Sequence, residues 1–135
     1  MPHVLELEVR PADLDAYLHV NNSVYLAWFD RVAWSHSAVL GVTLERCLSL
    51  RRGMAAHRTE VSYLRAALRG DALLVGTWIT STDGKLRVER CFQVRRALDG
   101  ETLCRARTQY VCINLDSGRA ARMPQELSDA YRAEA

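Results

Sequence analysis

The side chains able to do chemistry crowd into one stretch, Asp13 to Gly41, read as DLDAYLHVNNSVYLAWFDRVAWSHSAVLG. Asp13 and Asp15 open it, His19, Asn21, Asn22 and Ser23 follow, and a long apolar run starts at Val24. Asn tolerates left-handed backbone, and Asn or Ser makes a good N-cap, so the polar group reads as a turn tipping into a helix. A helix start offers unpaired N–H groups and about half a positive charge from the macrodipole. Asp15 precedes that start closely enough for a turn to fold it back across the first helical residues. A carboxylate held there can attack an electrophilic carbonyl or activate a water against it. The amides of Asn22, Ser23 and Val24 would then meet the charge growing on oxygen, each such donor being worth ~3 kcal/mol to a transition state. The plainer alternative is an Asp15 that only caps or shapes the turn. Asp13, set to point to the opposite side, is left a structural role.

The elements that must hold these residues follow from the pattern. From Val24 to Leu40 only Asp30, Arg31 and His36 can carry charge, and apolar residues cover most of the circumference. A helix apolar nearly all round is a buried one, with Trp28, Phe29 and Trp34 in the core. Gly41 is its C′ stop. At ~17 residues it would be about 25 Å long, too short and too interrupted to span a membrane. Ahead of it, Leu5, Leu7 and Val9 alternate with charged residues as a half-buried strand closed by Pro11. After it comes a mixed connection with a helical turn around Leu44 to Leu48. Four strands follow: Ala55 to Arg65, Leu73 to Ser81, the alternating run from Leu86 to Arg95, and Thr102 to Asn114. Arg69-Gly70-Asp71, Asp83-Gly84 and Asp99-Gly100 are the turns between them, Asp83-Gly84 reading as a two-residue hairpin. Pro124 opens a short C-terminal helix with Glu126 in its first turn. Successive hairpins imply an antiparallel sheet, and strands this long must twist and curl. The expectation is an α+β fold in which a curled five-stranded antiparallel sheet wraps one long central helix, as a single domain over 1–135.

Composition narrows the partners. A net charge of +2 gives no sign of nucleic-acid binding, although all of the 18 basic residues but Lys85 are Arg, whose planar fork grips phosphate well. The four cysteines show neither CxxC spacing nor nearby histidine pairs, so a metal site is not expected; buried thiols in a reducing compartment are. The N-terminus carries neither a basic region nor an apolar one, which reads as cytoplasmic.

Asp15, then His19-Val20-Asn21-Asn22, then Tyr25 form a pattern that resembles the hotdog-fold acyl-CoA thioesterases of the 4-hydroxybenzoyl-CoA thioesterase type, in the bacterial branch carrying that motif. Tyr63-Leu64-Arg65 followed by Gly70-Asp71, and the late Asp116-Ser117-Gly118-Arg119 with Pro124, extend the likeness over nearly the whole chain. Pro11-Ala12-Asp13 departs from the polar pattern relatives often carry there. The resemblance implies hydrolysis of an acyl-CoA to free acid and CoA, with no metal and no cofactor beyond the CoA of the substrate. It also implies a homodimer joined sheet edge to sheet edge, often paired into a homotetramer, with active sites at the subunit interface.

Carried onto these positions, the resemblance makes Asp15 the catalytic carboxylate and the Asn22 amide the oxyanion donor. His19, Ser23 and Tyr25 become substrate-binding candidates. His19 alone reads equally well as a structural hydrogen-bonder, and Tyr25 as core. Arg65, Arg69, Arg87, Arg90, Arg95 and Arg96 are candidate grips for CoA phosphates, or simply a solvated face. Another thioesterase branch keeps its carboxylate inside the helix, but the acid here, Asp30, sits beside Arg31 and reads as an ion-pairing position. The competing activities are hydrolysis on acyl-carrier protein, a hydratase or dehydratase on the same fold, and non-catalytic acyl binding. The Asp15–His19 spacing argues against the dehydratase.

Overall fold

A computed structural model describes residues 2–133. The chain runs β1 (His3–Glu8), a 3-10 turn (Pro11–Asp13), α1 (Asn22–Val39), α2 (Leu44–Leu50), β2 (Arg52–Tyr63), β3 (Ala72–Thr82), β4 (Arg87–Arg96), β5 (Thr102–Asn114) and α3 (Gln125–Ala130). The five strands form one antiparallel sheet in the order β1-β3-β4-β5-β2. The expected α+β fold, a curled sheet against one long helix, is the fold observed.

Helix α1 begins where its capping residues dictate. Asn21, in extended backbone, accepts the Ser23 amide on its side chain, and the helix ends at Val39, with Leu40 as C-cap and Gly41 beyond it at φ +92°. One face of the helix carries Tyr25, Trp28, Phe29 and Val32 onto Leu73, Val75, Phe92, Val94, Cys104 and Ala106 of the sheet. Phe29 stacks on Phe92 with ring centroids 4.7 Å apart. Burial of each such side chain is worth roughly 1.5–3 kcal/mol, so this seam fixes the helix against the sheet. A second cluster, with Val42, Cys47, Ile79, Cys112 and Leu127, closes the far end under α2 and α3.

The structure departs from the sequence expectations in several places. The sheet cradles α1 from one side, so Leu26, Trp34 and Val39 remain 48%, 44% and 72% exposed in the single chain. Trp34 is therefore not core, whereas Trp28 and Phe29 are. The Asp83-Gly84 turn is a four-residue loop, Asp83 to Leu86. There Asp83 Oδ1 accepts the amides of Arg87, Lys85 and Leu86 at 2.8–2.9 Å, and these bonds pull its carboxyl down to about 2. Pro124 is the N-cap of α3 rather than its first residue. Finally, β2 and β3 are not hairpin partners. β2 lies at the sheet edge on β5, so residues 64–71 must cross to reach β3 beside β1. That crossover supplies half of the site below.

Candidate active site

The turn ahead of α1 is built on Asp15. Its Oδ1 accepts the amides of Tyr17 at 2.8 Å and His19 at 3.2 Å, an Asx turn that brings the chain back on itself. The Asp15 amide reaches the His19 carbonyl at 2.8 Å, and Leu14 and Val20 form an antiparallel bridge around the loop. Closing so small a loop forces Leu18 to φ +61°, a left-handed conformation that costs an L side chain roughly 1–2 kcal/mol. Asp13 anchors the base of the turn. It is buried, accepts the Arg10 amide at 2.8 Å, and takes the Asn21 amide on its own carbonyl at 2.9 Å.

The crossover after β2 packs against this turn. The Val20 amide donates to the Ala67 carbonyl at 3.0 Å, and His19 bridges Leu68. Between the turn, the first turn of α1 and the end of β2 lies an open groove of about 230 Å³. Asp15, His19, Val20, Asn22 and Tyr25 line it from one side, and Tyr63, Leu64, Arg65 and Ala66 from the other. Of the predicted residues, Asp15, His19, Asn22 and Tyr25 are thus gathered at one place.

Ser23 is not among them. Its amide and its hydroxyl both donate to Asn21 Oδ1, each at 3.1 Å, so it serves the cap. The Val24 amide is spent on the Asn21 carbonyl at 2.9 Å. Of the three amides expected as donors, only that of Asn22 has no acceptor among the described residues. At a helix start, such a donor faces whatever charge the groove receives.

Tyr25 forms the floor, 2% exposed. Burial pushes its hydroxyl up to about 12, with the Ala67 backbone opposing, so it is a neutral group at any ordinary pH. Its ring meets Trp28 and Tyr63 edge-on, at 5.1 and 5.4 Å. Cys104 lies below and is likewise pushed up to about 12 by burial, which makes it a poor nucleophile. The sequence reading gave no role to Tyr63, Leu64 or Ala66. Tyr63 and Leu64 entered only as part of the family pattern, and it is the end of β2 and the start of the crossover that bring all three opposite Asp15.

The arginines separate by surroundings. Arg65 lines the groove and pairs with Glu101 at 2.9 Å. Arg96 is held by Asp71, Asp99 and Glu101. Arg90 is not a surface grip at all. It is buried between α1 and the sheet, 2.7 Å from His36 Nδ1 and 3.4 Å from Ser37 Oγ. It borders a second, smaller hollow of about 70 Å³ with Asp30, Trp34, Met54, Tyr110 and Tyr131. That hollow meets the middle of α1, where helical amides are already bonded. Among the described residues no group of three or more His, Cys, Asp or Glu is gathered to hold a metal, and no helix is long and apolar enough to cross a membrane.

The chain is similar to known proteins over most of its length. A model of the Thioesterase-like superfamily matches residues 9–131, which span the turn, α1, the crossover and the whole of β2 to β5. The long-chain acyl-CoA thioesterase FadM of Escherichia coli (strain K12) is 26% identical over 131 residues, covering 92% of each chain. Slr0204, a 1,4-dihydroxy-2-naphthoyl-CoA thioesterase from Synechocystis, superposes with a TM-score of 0.86 at 24% identity over 97% of this chain and 96% of its own. SAV2348 from Staphylococcus aureus, solved in complex with CoA, gives 0.89 at 19% identity over 96% of this chain and 81% of its own.

Proposed function

The chain belongs to the Thioesterase-like superfamily, and from that premise we propose that it hydrolyses an acyl-CoA thioester to the free acid and CoA in the groove beside Asp15. The single observation that carries this reading is that Asp15 and Asn22, whose amide has no acceptor among the described residues, line one groove. Asp15 attacks the thioester carbonyl or draws a proton from the water that does. The Asn22 amide donates to the carbonyl oxygen as it becomes an oxyanion, with the macrodipole of α1 behind it. The thiolate of CoA leaves, and water supplies the second oxygen of the acid. The chain's own groups and water suffice for these steps.

His19 and Tyr25 shape the acyl side, Tyr25 as the neutral apolar floor. Ser23, bound to the Asn21 cap, acts through the helix start rather than on substrate. The motif running from Asp15 through His19-Val20-Asn21-Asn22 to Tyr25 supports the finer assignment to the 4-hydroxybenzoyl-CoA thioesterase type. The CoA-bound form of SAV2348 supports CoA over a carrier protein. Four free cysteines, three of them buried, suit a reducing cytoplasm as its place of work. The long edge of β2 and the exposed side of α1 support a homodimer, and two such dimers a tetramer.

The test is thiol release from a panel of acyl-CoAs, from acetyl to palmitoyl plus benzoyl types, by wild type and Asp15→Asn. Turnover that falls by at least about a hundredfold in the variant, with fold and oligomer kept, is the expected result. A variant as fast as wild type would make Asp15 a turn residue and end this mechanism.

A further inference from the structure

Tyr63 ends the edge strand, paired in register with Cys104, and its ring reaches across the groove to the start of α1. There it packs edge-on against Tyr25, and its hydroxyl donates to the Asn22 carbonyl at 3.3 Å. Resting on the thioesterase reading above, we infer that Tyr63 is a positioning residue, which holds the first turn of α1 so that the Asn22 amide stays aimed into the groove.

Three features carry this. First, the Tyr63 hydroxyl is the side-chain group that bonds the main chain of residue 22 among the described residues; the other ties of this region end at residues 20 and 21. Second, the carbonyl it reaches sits within α1, where the helical ladder already supplies a donor, so the bond is not needed to satisfy a buried orphan. Tyr63 is 44% exposed, so a large stability role is not what keeps it there. Third, a helix start is the part of a helix that frays, and Asn22 is exposed at that point. An oxyanion donor works only if it is fixed before charge develops. Tyr63 ties that end to the sheet, while Tyr25 keeps the ring at its angle.

The experiment compares wild type, Tyr63→Phe and Asp15→Asn in steady-state thiol release and in amide hydrogen exchange. Tyr63→Phe keeps the ring contact with Tyr25 and removes only the hydroxyl. Its kcat should fall by about tenfold while KM stays within about twofold, the signature of a misaimed donor rather than a lost substrate contact. Thermal midpoint should hold, and the amides of Ser23 and Val24, both bonded to Asn21, should exchange faster. Unchanged kcat beside an inactive Asp15→Asn would overturn the role of Tyr63 and leave the thioesterase reading standing. A raised KM at constant kcat would make Tyr63 a substrate contact and overturn the inference as well. If Asp15→Asn is as active as wild type, the mechanism fails instead. The exchange readout decides on Tyr63 without turnover, since unchanged exchange at Ser23 and Val24 rejects the tether.

Discussion

Tyr25 in the floor of the groove and Cys104 in the core behind it are two acids that the fold keeps protonated, each pushed up to about 12 by burial from ordinary values of 10.0 and 9.0. A group whose folded pKa lies above its unfolded one binds its proton more tightly when folded. Its contribution to stability is complete below the unfolded value and is lost as pH climbs toward the folded one. The chain should therefore lose stability from about pH 9, where Cys104 begins to ionise in the unfolded chain, and more steeply above about pH 10, where Tyr25 joins it. Urea midpoints measured over about pH 8 to 11.5 should fall in wild type and fall less in Tyr25→Phe above about pH 10. Equal slopes would mean that Tyr25 is not the buried acid described here. At this scale the sequence was legible where the site is local. Asp15, His19, Asn22 and Tyr25 lie within one turn and the helix it starts, so spacing alone could bring them together. Tyr63 was noticed only as part of the Tyr63-Leu64-Arg65 pattern; its place was not legible, because nothing in Val61-Ser62-Tyr63 reveals that the strand ends opposite a helix start.

The start of α1 is the element on which the proposed chemistry turns. Asn21 caps it, and the cap also holds Ser23 through both amide and hydroxyl. Asn21→Ala should cost about 1 kcal/mol of stability. Because the same turn carries the Asn22 amide, the variant should also lose turnover, while Asn21→Ser, which can cap, recovers most of both. Chemical denaturation and thiol release on the three proteins check this; a loss of stability without a loss of rate would separate cap from site. Helix limits were read closely from sequence because caps and Gly41 are local signals. The helix's exposed side was misread for the complementary reason. Hydrophobic pattern reports that a face seeks cover, not whether its own chain supplies it, and here the sheet covers only the Tyr25–Phe29–Val32 face. The loop after β3 was misread because Asp83 gathers three amides and stabilises four residues where Asp-Gly alone implies two.

For the whole molecule the strand order was the least legible feature, since pairing β2 with β5 joins segments far apart in sequence. That order leaves a 12-residue strand on an open edge, with Leu26 and Trp34 of α1 uncovered. An open edge this long is a template for another strand. The register shift between Ala56 and Arg58, together with the charged Arg58 and Glu60, makes it a poor match for arbitrary strands. A second copy can match it. A two-fold axis at Thr59 would set Arg58 of one chain across from Glu60 of the other, as a self-complementary interface requires. Exposed charges of this kind add little energy, so backbone pairing and the apolar side of α1 must supply the rest. Trp34 borders a hollow that also meets Met54 of β2, which puts its ring on the same side of the molecule as that edge. Sedimentation equilibrium should therefore give wild type a mass of two chains or four. Trp34→Glu, which sets a charge on that surface without touching the buried seam of α1, should shift the equilibrium toward the monomer with its circular dichroism unchanged. A wild type that sediments as a single chain would refute the edge pairing. The groove beside Asp15 would then have to work with the residues of one chain alone.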